Sequence, residues 1–163
     1  MYRVETEHLI ITPFAITDSD DFLEFYNQCE TMRFISNGKC DWNKGELLGK
    51  MENVSGDMPF GTYSVLLKSE NKVIGEISVF NSYKDKEKIE IGYILNSKYQ
   101  KRGFAFEMQK AMIENLKLKF KVKTIVARVN SENISSIKLC LKLGFELKGI
   151  DKVDNKTRYT YEI

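Results

Sequence analysis

The stretch Gln100-Lys101-Arg102-Gly103-Phe104-Ala105 follows an apolar run, Ile89 to Leu95, that reads as a strand. It opens a helix. A glycine in the first turn of a helix lets a ligand approach backbone N–H groups that the helix leaves unpaired. Those groups and the helix dipole favour an anion, most simply a phosphate. The second and third glycines of a dinucleotide fingerprint are absent, and no Gly-Lys-Ser/Thr follows as a P-loop requires. A glycine at this place can also serve packing alone.

A second block lies downstream. Ile125-Val126-Ala127-Arg128-Val129 reads as a strand, and Asn130, Asn133 and Ser136 follow it. Ile134, Ile137 and Leu141 then recur at helical spacing, which predicts one apolar helix face. Gly144, before Phe145, reads as the helix stop. Together the two blocks resemble the GNAT acyltransferases. That family has a pyrophosphate loop of the form Gln/Arg-x-x-Gly-x-Gly/Ala, and later a strand ending in Asn, a following Asn and Ser, and a helix closed by Gly-Phe. The resemblance runs from about Glu5 to the C-terminus.

The resemblance implies an α+β domain spanning 1–163. Its mixed central sheet has about seven strands, splayed in the middle and flanked by about four helices. It implies acetyl-CoA as co-substrate and no metal. Coenzyme A would lie against Gln100, Lys101, Arg102, Gly103, Phe104 and Ala105, with Asn133 and Ser136 beside its pantetheine arm. The splay falls between the strands ending at Leu95 and Val129. Backbone groups of Tyr93, Ile94 and Leu95 would meet the amides of that arm, much as a sheet edge accepts an added strand. Without the flanking blocks, Gly92-Tyr93-Ile94 reads simply as a central strand.

Acetyl transfer to an amine needs a neutral amine, donors for the oxyanion and a proton for the leaving thiolate. By resemblance, the N–H near Ile94 or Leu95 is the oxyanion donor. Glu90 alternates with Ile89 and Ile91, so it projects from one sheet face as a candidate base, or as a solvated or salt-bridged side chain. Glu76 on the neighbouring strand is the competing carboxylate. Glu107, one turn into the helix, suits the dipole and reads as structural. Many family members carry Tyr four residues before the Gly-Phe pair; here Cys140 stands there, as a proton donor or a small buried apolar residue. Ser136 is the other candidate donor. The catalytic candidates are therefore Glu90, Ser136 and Cys140. No nucleophile argues for a covalent acetyl-enzyme, so direct attack in a ternary complex is expected. A catalytically silent CoA-binding module with a sensing or scaffold role is the alternative.

Thr6 to Phe14 with Asp18, and Glu90-Ile91-Gly92-Tyr93-Ile94-Leu95, resemble the RimJ/RimL-like subgroup. His8 and Thr12 stand where that subgroup usually has arginines, and Ser97 replaces a common proline. The subgroup acetylates protein N-termini, and other members modify small amines, polyamines or antibiotics. Neutralising an α-amine at pH 7 costs about 1 kcal/mol, against about 4–5 kcal/mol for a lysine-like amine. A site with no tyrosine acid suits the first.

Other features bound the answer. The chain has 163 residues, 42% hydrophobic and 29% charged, as in one ordinary soluble domain. A net charge of +2 does not call for nucleic acid. No apolar run reaches a membrane span, and Met1 to Glu5 does not read as a signal peptide. Cys29, Cys40 and Cys140 lack metal-ligand spacing, which predicts free thiols in a reducing, cytoplasmic setting. The single histidine, His8, excludes a His-rich metal site and, with no Gly-x-Ser-x-Gly, argues against a Ser-His-Asp hydrolase. The expected partner is a small-molecule or peptide amine, and the protein is expected as a monomer or homodimer.

Strands are predicted over 9–14, 62–68, 73–82, 88–95, 125–129, 146–153 and 157–163. Helices are predicted over 18–28, 42–54 and 103–118 besides the one after Asn133. A turn is expected at Lys84 to Lys88. By resemblance, Ile35 to Gly61 forms one wall of the acceptor slot, with Trp42, Phe60 and Tyr63 as aromatic candidates, Phe60 and Tyr63 reading first as core packing. Lys117, Lys119, Lys121 and Lys123 read as a solvated face, or as contacts to the cofactor's ribose phosphate.

Overall fold

The computed structural model describes residues 2–54, 56–82 and 87–163. Most of the turn expected at Lys84 to Lys88 lies outside the described residues. Among the described residues there are eight strands: β1 (Val4–Glu5), β2 (Leu9–Pro13), β3 (Gly61–Leu67), β4 (Lys72–Asn81), β5 (Ile89–Leu95), β6 (Ile125–Asn130), β7 (Glu146–Val153) and β8 (Lys156–Glu162). There are five α-helices: α1 (Ser19–Tyr26), α2 (Cys29–Met32), α3 (Lys44–Val54), α4 (Phe104–Phe120) and α5 (Ile134–Lys142). The two elements without a sequence signal are β1, only two residues long, and α2, a single turn. Both are too short for periodicity to register.

The strands form one mixed sheet in the order β1-β2-β3-β4-β5-β6-β8-β7. The β5–β6 pair is parallel and the others are antiparallel. It is also the shortest pairing for its strands: only Ile89↔Ile125 and Glu90↔Val126 are joined. Beyond them β6 continues in register with β8. The sheet therefore forks in the middle, as expected.

Each face of the sheet carries its own apolar cluster. On one face α4 lays down Phe104, Met108, Met112 and Leu116 against Ile77, Val79, Ile91 and Ile125. Met108, Met112 and Leu116 are fully buried, each worth roughly 1.5–3 kcal/mol. On the other face, Phe22, Phe25 and Tyr26 of α1 pack with Leu47 and Met51 of α3, and with Val73 and Ile94 of the sheet. The start of α3 is held reciprocally. Asn43 Oδ1 accepts from Glu46 N at 3.0 Å, and Glu46 Oε2 accepts from Asn43 N at 3.1 Å.

Two expectations are corrected. Cys29 and Cys40 are not free thiols; they are joined in a disulfide, because the turn after α1 brings their Cα atoms within 5.0 Å. On α5 the buried face holds Ile137 and Cys140, whereas Ile134 and Leu141 are exposed. The inner stripe contains a serine and a cysteine, so apolarity alone pointed to the wrong side. Of the two readings of the lysine run the solvated face holds: Lys117, Lys119 and Lys121 are exposed at the C-terminal end of α4. That end is about 25 Å from the helix start, so they cannot belong to a site at Gly103. Among the described residues no helix is long and apolar enough to cross a membrane.

Candidate active site

The fork decides which backbone groups are available. Asn96 N donates to Ile74 O at 2.9 Å on the β4 side, and Ile89 N donates to Thr124 O at 3.3 Å on the other. Alternation along a strand then aims Ile91, Tyr93 and Leu95 at the gap, and Glu90, Gly92 and Ile94 at β4. Ile94 is thus placed differently from Tyr93 and Leu95. Its carbonyl oxygen lies 2.5 Å from where a Cβ on Gly75 would stand, so its backbone faces β4, and its side chain joins the smaller core cluster. Gln100 also folds back. Its Nε2 donates to Leu95 O at 2.9 Å and caps the strand end.

At the far side of the gap, α4 begins without a side-chain cap. Gly103 has φ +89°, a left-handed conformation that glycine adopts without strain, and no atom lies within 4 Å of where its Cβ would be. The first-turn N–H groups thus face open space over a residue that has no side chain. Lys101 and Arg102 are exposed beside it. The Arg102 guanidinium stacks over Phe104 at 5.0 Å and Tyr99 at 5.5 Å. Phe104 is buried and Ala105 half-buried, so both anchor the helix. Glu107 ties the helix to the β1–β2 turn. Its Oε1 accepts from Thr6 Oγ1 at 2.5 Å and from His8 N at 2.9 Å. A cradle of open backbone donors, two cations and an unzipped strand edge fits a long amide-bearing arm ending in a pyrophosphate.

The face of the sheet that carries α1 and α3 holds a cleft of about 510 Å³. Phe34, Phe60, Lys50, Glu76, Glu90 and Arg128 are among its lining residues. Glu90 is buried, and Arg128 binds both of its oxygens: Nε donates to Oε1 at 3.1 Å and NH2 to Oε2. Burial pushes the Glu90 carboxyl up, against the pull of Arg128 and Arg158. Glu76 is also buried, but its oxygens accept from Tyr26 OH at 2.7 Å and Ser78 Oγ at 3.1 Å. Lys50 Nζ in turn donates to Tyr26 OH. Of the expected aromatic residues only Phe60 lines the cleft. Trp42 packs its ring edge-on against Tyr26, and Tyr63 is in the core with its hydroxyl on Pro59 O at 2.6 Å.

The sequence profile of the acetyltransferase (GNAT) domain matches residues 8–146, most of the chain. The chain belongs to the GNAT acetyltransferase family. It is 28% identical over 150 residues to the uncharacterized N-acetyltransferase YnaD of Bacillus subtilis (strain 168), covering 92% of this chain and 86% of that one. Its fold superposes on a GNAT-family acetyltransferase from Bacillus anthracis with TM-score 0.87 at 23% identity, covering 99% and 98% of the two chains. It also superposes on the ribosomal-protein-S5-alanine acetyltransferase of Vibrio fischeri with TM-score 0.77 at 21% identity, covering 100% and 96%.

Within this GNAT domain the opposite wall of the fork comes from α5. Asn133 is the N-cap residue, and its Oδ1 accepts from Ser136 N at 3.2 Å. Asn130 is buried, with its Oδ1 on Glu132 N at 2.9 Å. Ser136 Oγ meets Tyr93 OH at 3.0 Å. Burial pushes the Tyr93 phenol up, while Ser136 pulls it the other way. Cys140 lies in the core, where burial pushes its thiol up to about 11. At neutral pH it is a packed, protonated side chain. Sequence reasoning passed over Arg128, Arg158, Tyr26 and Lys50. Arg128 carried a readable signal: a lone cation inside the apolar run Ile125 to Val129 demands a buried partner.

Proposed function

We propose that the protein transfers the acetyl group of acetyl-CoA to a primary amine by direct attack in a ternary complex. The observation that carries this reading is the forked sheet, with an anion-ready helix start on one side and a carboxylate-lined cleft on the other. Acetyl-CoA supplies the activated acetyl thioester. Tyr93 and Leu95 present backbone groups to its arm, and the start of α4 with Lys101 and Arg102 takes the pyrophosphate. The amine enters from the cleft and loses a proton to Glu90, directly or through a water. Arg128 occupies one site on each Glu90 oxygen, and a carboxylate oxygen has a second. Burial brings the carboxyl closer to the working range of a general base. As the new C–N bond forms and the C–S bond breaks, the nitrogen sheds its second proton and the sulfur takes one up, relayed through the hydroxyl of Ser136, which is hydrogen-bonded to Tyr93.

The acceptor is a protein N-terminal α-amine, in the manner of the RimJ/RimL-like subgroup, or a small-molecule amine. The cheaper deprotonation of an α-amine supports the first. The reading places the protein in the cytoplasm with its acetyl-CoA. A thiol-release assay over N-terminal peptides, polyamines and aminoglycosides tests it. Coenzyme A should also raise the melting temperature, by the equivalent of roughly 2.7 kcal/mol at a hundredfold excess over Kd. Stabilisation without thiol release from any amine marks a silent CoA-binding module instead. No stabilisation at millimolar cofactor overturns the assignment of the site.

A further inference from the structure

We infer that Cys29 and Cys40 form a thiol–disulfide exchange site that sets one wall of the acceptor cleft. Their bond closes a ring from the first residue of α2 to the segment leading into α3. Inside that ring lie Phe34, Ile35 and Ser36, all of which line the cleft. The inference rests on the proposed function only in treating this cleft as the acceptor's.

Besides the disulfide, the ring is held by half-buried Ile35 on the smaller core cluster and, near its end, by Trp42 Nε1 donating to Lys39 O at 3.1 Å. The four residues of α2 are far fewer than a helix needs to persist alone. Three local turns follow one another: Met32 N to Gln28 O, Ile35 N to Met32 O, and Gly38 N to Ile35 O. Met32 is the one fully buried anchor between the two cysteines. Outside the ring, the Asn27 side chain clasps both backbone groups of Trp42: Nδ2 donates to Trp42 O at 2.9 Å and Oδ1 accepts from Trp42 N at 2.7 Å. Opening the disulfide therefore leaves the ends of the segment in place and loosens only the wall between them. The start of α4, on the other side of the fork, is untouched.

The chemistry is that of an exposed disulfide meeting a dithiol reductant. Cys29 is exposed, whereas Cys40 is half-buried against the smaller core cluster. A reductant thiolate attacks the Cys29 sulfur, and the S–S bond breaks with Cys40 leaving as thiolate. The second reductant thiol then closes its own disulfide and releases Cys29. Two electrons and two protons pass from the dithiol to the cysteine pair. An oxidant of the disulfide class reverses the step.

The test compares protein treated with oxidised glutathione, protein treated with dithiothreitol, and the Cys29→Ser/Cys40→Ser variant. Denatured thiol titration should count one thiol in the oxidised form, Cys140, and three in the reduced form. Trypsin should cut after Arg33 and Lys39, both inside the ring, at least about threefold faster in the reduced protein and in the variant. KM for an N-terminal peptide or spermidine should change at least about threefold, with the coenzyme A melting shift unchanged. Three thiols after oxidation, or equal trypsin rates in all three samples, overturns the inference. A wall that loosens while KM stays constant overturns its link to the acceptor. Thiol counts and trypsin rates need no acetyl transfer, so they stand even if the melting shift is absent and the proposed function fails.

Discussion

The ion pair between Glu90 and Arg128 sits at the fork of the sheet. Glu90 belongs to the last residue pair that joins β5 to β6, and Arg128 lies two residues beyond its partner Val126. Their side chains are 8% and 11% exposed. The proposed mechanism thus gives one carboxylate two roles, pin of the fork and base of the cleft. Changing it tests two roles, which must be separated.

Glu90→Gln should bind coenzyme A but turn over roughly 10²–10⁴-fold more slowly at neutral pH. The defect should shrink as pH rises toward the amine's own pKa, because solvent then supplies the neutral nucleophile. Replacing Glu90 also breaks its buried ion pair with Arg128, which destabilises the fold by up to about 3–5 kcal/mol. Adding Arg128→Met should restore stability without restoring turnover. If the double variant recovers both, the carboxylate acts only as a pin.

At Gly103, two substitutions separate strain from charge. Gly103→Ala and Gly103→Asp should each lose about 1–3 kcal/mol of stability, because the φ of +89° is unfavourable for any side chain. Only Gly103→Asp should also abolish cofactor binding, by placing a carboxylate where the phosphate belongs. Equal binding by both variants, measured calorimetrically, would move the phosphate site elsewhere.

Asn133→Ala should cost about 0.5–2 kcal/mol, since its Oδ1 caps α5 through Ser136 N. The cap also orients the residue whose hydroxyl meets Tyr93. A slower reaction beside the lower melting point is therefore expected, and a normal rate in the folded variant would leave Asn133 with the cap alone.

Gly75→Ala probes the strand that backs the fork. A Cβ there would stand 2.5 Å from Ile94 O and 3.2 Å from Leu95 Cα. Both are backbone, so β5 must move. A loss of about 1–3 kcal/mol is expected, with weaker coenzyme A binding as Leu95 shifts. An unchanged melting curve would show that β4 and β5 can part at no cost.

Acid should weaken the joint between α1 and the sheet. Glu24 accepts from Lys72 Nζ at 2.6 Å, Lys98 Nζ at 2.8 Å and Asn96 Nδ2 at 3.1 Å. The lysine at 72, then Lys98 and Asn96, hold its carboxyl down to about 2, below its ordinary 4.5. A depressed carboxyl stabilises the fold fully above the unfolded value and loses that contribution as pH falls from 4.5 toward 2. Glu24→Gln should therefore lower the melting point at pH 7 and make it less sensitive over that window. A parallel acid profile for both proteins would remove Glu24 from the joint.

The sequence by itself determined the family, the α+β order and the anion-ready glycine, because these depend on residues near one another in the chain. The stripe Phe104, Met108, Met112 and Leu116 repeats with the helical period, so its burial was legible. Gly103 sits between a strand and a helix, so its place at the start of α4 was legible too. Only the tertiary structure decided the pairings. Strand polarity alternates invisibly, so which of Tyr93, Ile94 and Leu95 faces the gap awaited the β4–β5 register. Arg128 meets Glu90 across 38 positions, Tyr26 meets Glu76 across 50, and Ser136 meets Tyr93 across 43. No local pattern encodes such contacts. The same holds for Cys29 and Cys40: their separation of 11 is compatible with two thiols or one disulfide. The turn after α1 decided between them, because it sets how close the two Cα atoms come.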